Sequence, residues 1–260
     1  MSLENEYYYQ IAGEASRGNQ NHPGTIYLKK VAKKAKSILD VGCGEGSRLN
    51  LLTSKKQSST GTDINSQALI LAKKQYPHLK FVLSKSSQIP FPDNQFDLVY
   101  SCFVLEHTNK PEKLIEEMIR VLKTGGHLIL MCPNFGSPNR RSPNSIEWSW
   151  SKLLKGFCRD INFIFNRQIK TLSWRQVKPK DKYQNSDDDT TVEPYLLSLY
   201  RYLKGRNLRI IKRSSLWSLE TTKHPFKKII AYLGSKNIYP FKFWGPQIFI
   251  VARKFSLKSL

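Results

Sequence analysis

Three glycines at alternate positions, Gly42, Gly44 and Gly46, sit in SILDVGCGEGSRL (37–49), between a short apolar run and a helical one. A strand, a glycine turn and a helix leave free backbone N–H groups at a helix N-terminus, a place suited to the polar end of a ligand. Turns of this kind hold NAD, FAD, phosphate groups or S-adenosylmethionine. The dinucleotide version is GxGxxG. Here the spacing is GxGxG, with Asp40 just before the turn and Glu45 inside it. A carboxylate at Glu45 repels a pyrophosphate, whereas a cofactor with one carboxylate, one ammonium and a sulfonium suits the two acids. Asp63 ends the next apolar run with two oxygens able to accept from a pair of ribose hydroxyls. Ile64 beside it offers an apolar face to an adenine ring.

These residues need elements to hold them, and the sequence supplies an alternation of short strands and amphipathic helices. GTIYLKKVAKKAK (24–36) reads as a surface helix, SILDVG as strand one, SRLNLLTSKK as a helix and SSTGTDIN (58–65) as strand two. SQALILAKKQY (66–76) is the next helix, LKFVLS (79–84) strand three and FDLVYSCF (96–103) strand four. PEKLIEEMIRVL (111–122) carries one apolar stripe opposite its glutamates. Gly125 and Gly126 are expected to end it, with HLILMCP (127–133) as strand five. This pattern predicts an α/β fold, a doubly wound parallel sheet covered on both faces. The alternation then breaks and resumes with a helix in EPYLLSLYRYLKGRN (193–207), a strand in LRIIKRS, a helix in HPFKKIIAYLG and a last strand in PQIFIVARK. The intervening KPKDKYQNSDDDTT (178–191) reads as a polar linker or loop. Four segments follow: 1–36, N-terminal and helical; 37–133, the cofactor half; 134–192, an aromatic-basic insertion, lid and linker; and 193–260, completing the same sheet.

Charge divides the chain. Its net charge is +22, of which residues 1–130 carry +5 and residues 131–260 carry +17, and all five tryptophans lie in the second half. No apolar run approaches the ~18 residues of a membrane span, and the N-terminus lacks a basic segment followed by an apolar core, so a cytoplasmic location is expected. The four cysteines form no CxxC pair, and no metal site is expected.

LDVGCGEG, TGTDIN, IPFPDNQFDLVYSCFVLEH and RVLKTGGHLILMCPN, in this order and spacing over residues 37–133, resemble the class I S-adenosylmethionine-dependent methyltransferases. The resemblance is to the type 11 branch that includes the ubiquinone and menaquinone enzymes. It implies a Rossmann-like seven-stranded sheet whose last strand runs antiparallel, and the break in the strand pattern places a helical insertion after strand five. It implies S-adenosylmethionine as cofactor, with Gly42, Gly44 and Gly46 under the methionine moiety and Asp40 supporting them. Asp63 would bind the ribose and Ile64 the adenine. Ser86 and Ser87 would face the adenine edge, and Cys102 and Phe103 would meet the methionine ammonium through backbone carbonyls. Lys85 stands where the family often has an acid for the adenine amino group.

Methyl transfer from a sulfonium is an in-line displacement, and a base is needed only for a protonated nucleophile such as a hydroxyl. His107, in VLEHTN at the rim after strand four, is the candidate base, with Glu106 to orient it. SCFVLEH lacks the Asn/Asp-Pro-Pro-aromatic block of enzymes that act on exocyclic base amines. The expected acceptor is a small molecule, a glycan or a lipid-linked precursor, methylated at oxygen. Two alternatives stay open: a tRNA or rRNA methyltransferase, or a non-catalytic RNA- or membrane-binding protein with this fold. The aromatic-basic stretch 147–170 fits a lid over the acceptor, peripheral contact with an anionic membrane, or both.

Overall fold

A computed structural model describes residues 19–85, 88–146, 149–165, 171–172, 174–180 and 187–256. In chain order its elements are α1 (Pro23–Ala32), β1 (Ser37–Val41), α2 (Ser47–Leu52), β2 (Ser58–Asp63), α3 (Ser66–Gln75), β3 (Lys80–Leu83) and β4 (Phe96–Cys102). They continue as α4 (Pro111–Val121), β5 (Leu122–Pro133), α5 (Ser149–Phe165), α6 (Leu196–Lys204), β6 (Leu208–Ser214), α7 (Pro225–Ser235) and β7 (Gln247–Lys254). The strands form one seven-stranded sheet in the order β3-β2-β1-β4-β5-β7-β6. β7 is antiparallel to both neighbours, while β1 to β5 pair in parallel.

Side-chain alternation explains why the sheet is covered on both sides. Leu39, Val99, Leu128, Leu130 and Ile250 point to one face, where α4 and α6 bury Ile115, Met118, Leu199 and Leu203 against them. Ile38, Leu98, Tyr100, Ile129, Met131 and Val251 point to the other, against Leu28 of α1, Leu49 of α2 and Leu69 of α3. The strand order reverses between β1 and β4, which pair directly through Ile38↔Leu98 to Asp40↔Tyr100. The crevice outside the carboxyl ends of these two strands is where open α/β sheets take their ligands.

Two expectations shift. Gly125 and Gly126 do not separate α4 from the next strand: β5 begins at Leu122 and runs straight through them. A Cβ at Gly126 would lie 2.9 Å from the Asp97 carbonyl oxygen, so glycine lets the two strands close up there. The acid-rich end of the expected linker is tied down. Val177 N–H donates to Thr191 O at 2.9 Å, Lys180 N–H to Asp188 O at 3.0 Å, and Thr191 N–H to Glu106 O at 2.8 Å. Arg175–Gln176 and Val192–Glu193 form a short antiparallel ribbon at its base.

The insertion's helix docks by its polar face. Lys152 Nζ donates to Glu193 Oε2 and to Phe135 O, both at 2.7 Å. Asp160, fully buried, accepts from Trp244 Nε1 at 2.7 Å and from the Tyr195 hydroxyl. Trp150 and Leu154, at 69% and 67% exposure, face outward instead. Among the described residues no helix is long and apolar enough to cross a membrane.

Candidate cofactor and acceptor site

β1 delivers Asp40 and the glycine turn to the crevice. Gly42 (φ 77°), Gly44 (φ 53°) and Gly46 (φ 85°) all have left-handed backbone, which other residues adopt only at a cost. Gly42 is also hemmed in: a Cβ there would lie 2.3 Å from Val104 Cγ2. At Gly44 a Cβ would meet no atom within 4 Å, so this glycine presents an open face. Its amide is held by Asp63, whose Oδ2 accepts from Gly44 N–H at 2.9 Å while Oδ1 accepts from Asn65 N–H at 2.9 Å. Burial pushes the Asp63 carboxyl up, against the pull of the Asn65 and Gly44 amides.

Glu45 decides which ligands the turn accepts. Its carboxylate caps α2, accepting from Ser47 N–H at 2.9 Å and from the Ser47 hydroxyl at 2.6 Å. The anion position of this helix N-terminus is therefore filled from within, and a phosphate would be repelled. Asp40 is the complementary feature. It is 1% exposed, and among the described residues neither carboxylate oxygen has a hydrogen-bond partner. Burial pushes its pKa up to about 7, opposed chiefly by Arg48 and then by the nearby Tyr100 hydroxyl, which stands outside bonding geometry. A buried, underpaired acid beside an open glycine suits a cationic ligand end such as an ammonium or sulfonium.

Strand four supplies the facing wall. Phe103 has φ 61°, strained for an aromatic residue, and turns the chain over the glycine loop. The Cys102 carbonyl, expected to meet an ammonium, accepts from Arg48 Nη1 at 3.2 Å, and the guanidinium lies 5.5 Å from the Phe103 ring centre. Arg48 was not foreseen: an arginine at the second position of the helix after the glycines carries no sequence signal until β4 brings Cys102 beside it. Asp40, Gly42, Gly44, Gly46, Asp63, Cys102 and Phe103 thus gather at the carboxyl ends of β1, β2 and β4 and the turns that follow β1 and β4. Ile64 is 67% exposed at its edge. Ser86 and Ser87 lie outside the described residues.

Beyond Val104, which packs on Gly42, a 3-10 turn at Leu105–His107 carries the candidate base. His107 Nδ1 is 2.8 Å from Asp189 Oδ1, although the ring N–H does not align with it. Nε2 is 3.7 Å from Glu106 Oε1. Burial alone would lower the His107 pKa, but Glu106, then Asp189 and Asp187, outweigh it and raise it to about 9. Burial pushes Glu106 up to about 7, with His107 opposing. The aspartates come from the DDD run at 187–189. Its polarity reads as loop in the sequence, and only the fold sets it against His107. A separate cavity of about 250 Å³ opens between α5, the ribbon and α6, with Lys152, Arg159, Trp174, Arg175, Glu193 and Tyr195 among its walls.

Comparison with known proteins agrees with this geometry. A family model described as a methyltransferase domain matches residues 39–130. Ajmaline N-methyltransferase of Rauvolfia serpentina is 35% identical over 210 residues, 75% of this chain and 70% of that protein. Demethylmenaquinone methyltransferase of Renibacterium salmoninarum is 32% identical over 102 residues, 38% of this chain. The chain spans about two fifths of the length of several curated relatives, 43% for the Renibacterium protein. A Mesorhizobium loti S-adenosylmethionine-dependent methyltransferase shares the fold, with a TM-score of 0.52 at 17% identity over 84% of this chain and 90% of that one. The 35% identity over 70% of the Rauvolfia methyltransferase, with the sheet order shared by the Mesorhizobium structure and a turn that repels phosphate, places the chain in the S-adenosylmethionine-dependent methyltransferases.

Proposed function

We propose that this chain methylates an oxygen of an acceptor seated at the crevice outside β1 and β4, and that the acceptor, among small molecules, glycans and lipid-linked precursors, is membrane-borne. The cofactor's sulfonium supplies an activated methyl group. The chain's own residues then bind and align. Gly44 and Asp40 would hold the methionine end, Cys102 and Phe103 its far side, Asp63 the ribose and Ile64 the adenine. Alignment of an acceptor with a reacting group is worth roughly 7–11 kcal/mol of barrier. Residues 37–133 act as the cofactor half, 134–192 as the acceptor lid, and 193–260 complete the sheet.

The choice of oxygen is carried by the Glu106–His107–Asp189 cluster beside the glycine turn. A hydroxyl must lose its proton, and this is the titratable group at that rim. With its pKa raised to about 9, His107 is protonated in neutral solution. It can take the acceptor's proton only after its own has been displaced.

The membrane-borne acceptor is supported by the outward face of α5 and α7. Trp150, Leu154 and Phe157 on one helix join Phe226, Ile229 and Tyr232 on the other, with the Trp150 and Phe226 rings 6.1 Å apart. Exposed Lys155, Lys223, Lys227 and Lys228 frame them. An apolar stripe edged by lysines suits an anionic lipid surface.

Calorimetric titration with S-adenosylmethionine and NADH tests the cofactor half. Binding of the first and not the second, lost in Asp63→Ala, supports it. Incubating the protein with methyl-labelled cofactor and a fractionated cell extract tests the acceptor. Label in the organic phase supports the reading, and label in RNA replaces it with the nucleic-acid alternative.

A further inference from the structure

Around His107 the fold gathers three carboxyl groups, those of Glu106, Asp187 and Asp189. Glu106 is 0% exposed, and among the described residues neither carboxylate oxygen has a hydrogen-bond partner, His107 Nε2 standing 3.7 Å from Oε1. Its own backbone amide is close but outside bonding geometry. A buried carboxylate in that state costs several kcal/mol unless a cation meets it. The turn Asp187–Asp189 directs two further acids at the same point, while Asp188 turns aside to pair with Lys180 Nζ at 2.6 Å. One ligand atom each from Glu106, His107 and Asp187 lie within 4.8 Å of one another.

That spacing is close to what a metal ion needs. Bonds of roughly 2.0–2.2 Å put adjacent ligand atoms about 3 Å apart and opposite ones about 4.3 Å apart. The surroundings are rigid enough to preserve it. Thr191 N–H donates to Glu106 O at 2.8 Å. Asn144 Nδ2 donates to Asp188 O at 3.0 Å and to Thr190 O at 3.1 Å, and the Thr190 hydroxyl closes the turn on Asp187 O at 2.6 Å.

We propose that Glu106, His107 and Asp187 bind a divalent cation, contrary to the sequence expectation of no metal site; with the cation in place His107 would be a ligand in place of a base, and a coordinated acceptor hydroxyl, acidified by the cation, would lose its proton to solvent. Two carboxylates and an imidazole are a hard-to-borderline donor set, suited to Mn²⁺ or Mg²⁺ ahead of thiophilic ions. Three protein ligands leave coordination positions for water or for an acceptor oxygen. The acceptor class is then one with an oxygen donor free to enter the coordination sphere, such as a hydroxyl beside a second oxygen. The site itself stands on the geometry, and its service to the acceptor rests on the methyl-transfer reading above.

The test is Mn²⁺ titration of the full, EDTA-stripped chain, followed by the electron paramagnetic resonance signal of free Mn²⁺. S-adenosylmethionine affinity is measured in parallel by calorimetry in EDTA. Saturable Mn²⁺ binding that weakens at least about tenfold in both Glu106→Gln and Asp187→Asn, and is unchanged in Asp93→Asn, supports the site. Asp187 lies on a surface turn, so its variant stays informative should Glu106→Gln fail to fold. Wild-type protein that binds no Mn²⁺, or binds it as weakly as folded Asp187→Asn, overturns the proposal. Intact cofactor binding in that case leaves the methyltransferase reading standing, whereas loss of cofactor binding with Mn²⁺ retained would sink that reading and keep the metal.

Discussion

Gly42→Ala and Gly44→Ala change the same turn by one methyl each and should fail in different assays. Both glycines have left-handed φ, 77° and 53°, so each alanine incurs about 1–2 kcal/mol of backbone strain. At Gly42 the added Cβ would also sit 2.3 Å from Val104 Cγ2 and 2.9 Å from Cγ1, and overpacking of this kind costs about 1–3 kcal/mol more. Gly42→Ala should therefore lose roughly 2–5 kcal/mol of stability, a fall in Tm on the order of 10 °C for a chain of this size. Gly44→Ala meets no atom within 4 Å and should lose only a few degrees. Its methyl projects into the open side of the turn, where the cofactor must approach, so its S-adenosylmethionine affinity should drop at least tenfold, about 1.4 kcal/mol. Differential scanning fluorimetry and calorimetric titration read the two effects separately. Wild-type cofactor affinity in folded Gly44→Ala would refute the idea that the open face of Gly44 receives the cofactor.

Three further outcomes follow from the structure. Asp40 has a folded-state pKa raised to about 7 above an unfolded value near 3.9. The native state therefore binds the extra proton, and this group's contribution to stability declines as pH rises from about 4 to 7. Apo-protein Tm should fall across that window, and Asp40→Asn should flatten the slope. A cationic ligand end would also drive a proton off Asp40, seen as buffer-dependent binding enthalpy near pH 7. Asp160→Ala would strand the Trp244 Nε1–H and the Tyr195 hydroxyl in the interior. Two unmet buried donors at about 1–3 kcal/mol each should lower Tm by roughly 5–15 °C in a thermal melt. Trp150→Glu and Leu154→Glu alter side chains that face outward, so melting should be unchanged. Sedimentation with anionic vesicles should weaken on the order of tenfold per variant, and equal sedimentation would remove the support for a membrane-borne acceptor.

What the sequence by itself determined is the cofactor half. Short, near-continuous apolar runs at 37–41, 96–102 and 127–133, alternating with amphipathic helices, mark strands buried on both faces, and an apolar stripe at helical spacing marks the helix at 111–121. The GxGxG turn with Glu45 inside it is a local device: residues four apart settle both the backbone shape and the charge that refuses a phosphate. Asp63 was also legible, because it ends a strand adjacent to the one that carries the turn.

Only tertiary structure decided the rest, and the reason is sequence distance. Asp187 and Asp189 lie eighty residues from His107, and a run of three acids reads as solvated loop until Thr191 anchors it to Glu106. The raised pKa of His107 is likewise a property of that junction and of burial, neither of which a linear pattern records. On α5, apolar spacing predicts an inward stripe, yet Lys152 and Asp160 find Glu193, Tyr195 and Trp244 and take the buried side. A buried ion must have its partner whereas an exposed tryptophan needs none, so the polar network left Trp150 and Leu154 outward while Leu153 and Phe163 of the same helix pack on the core.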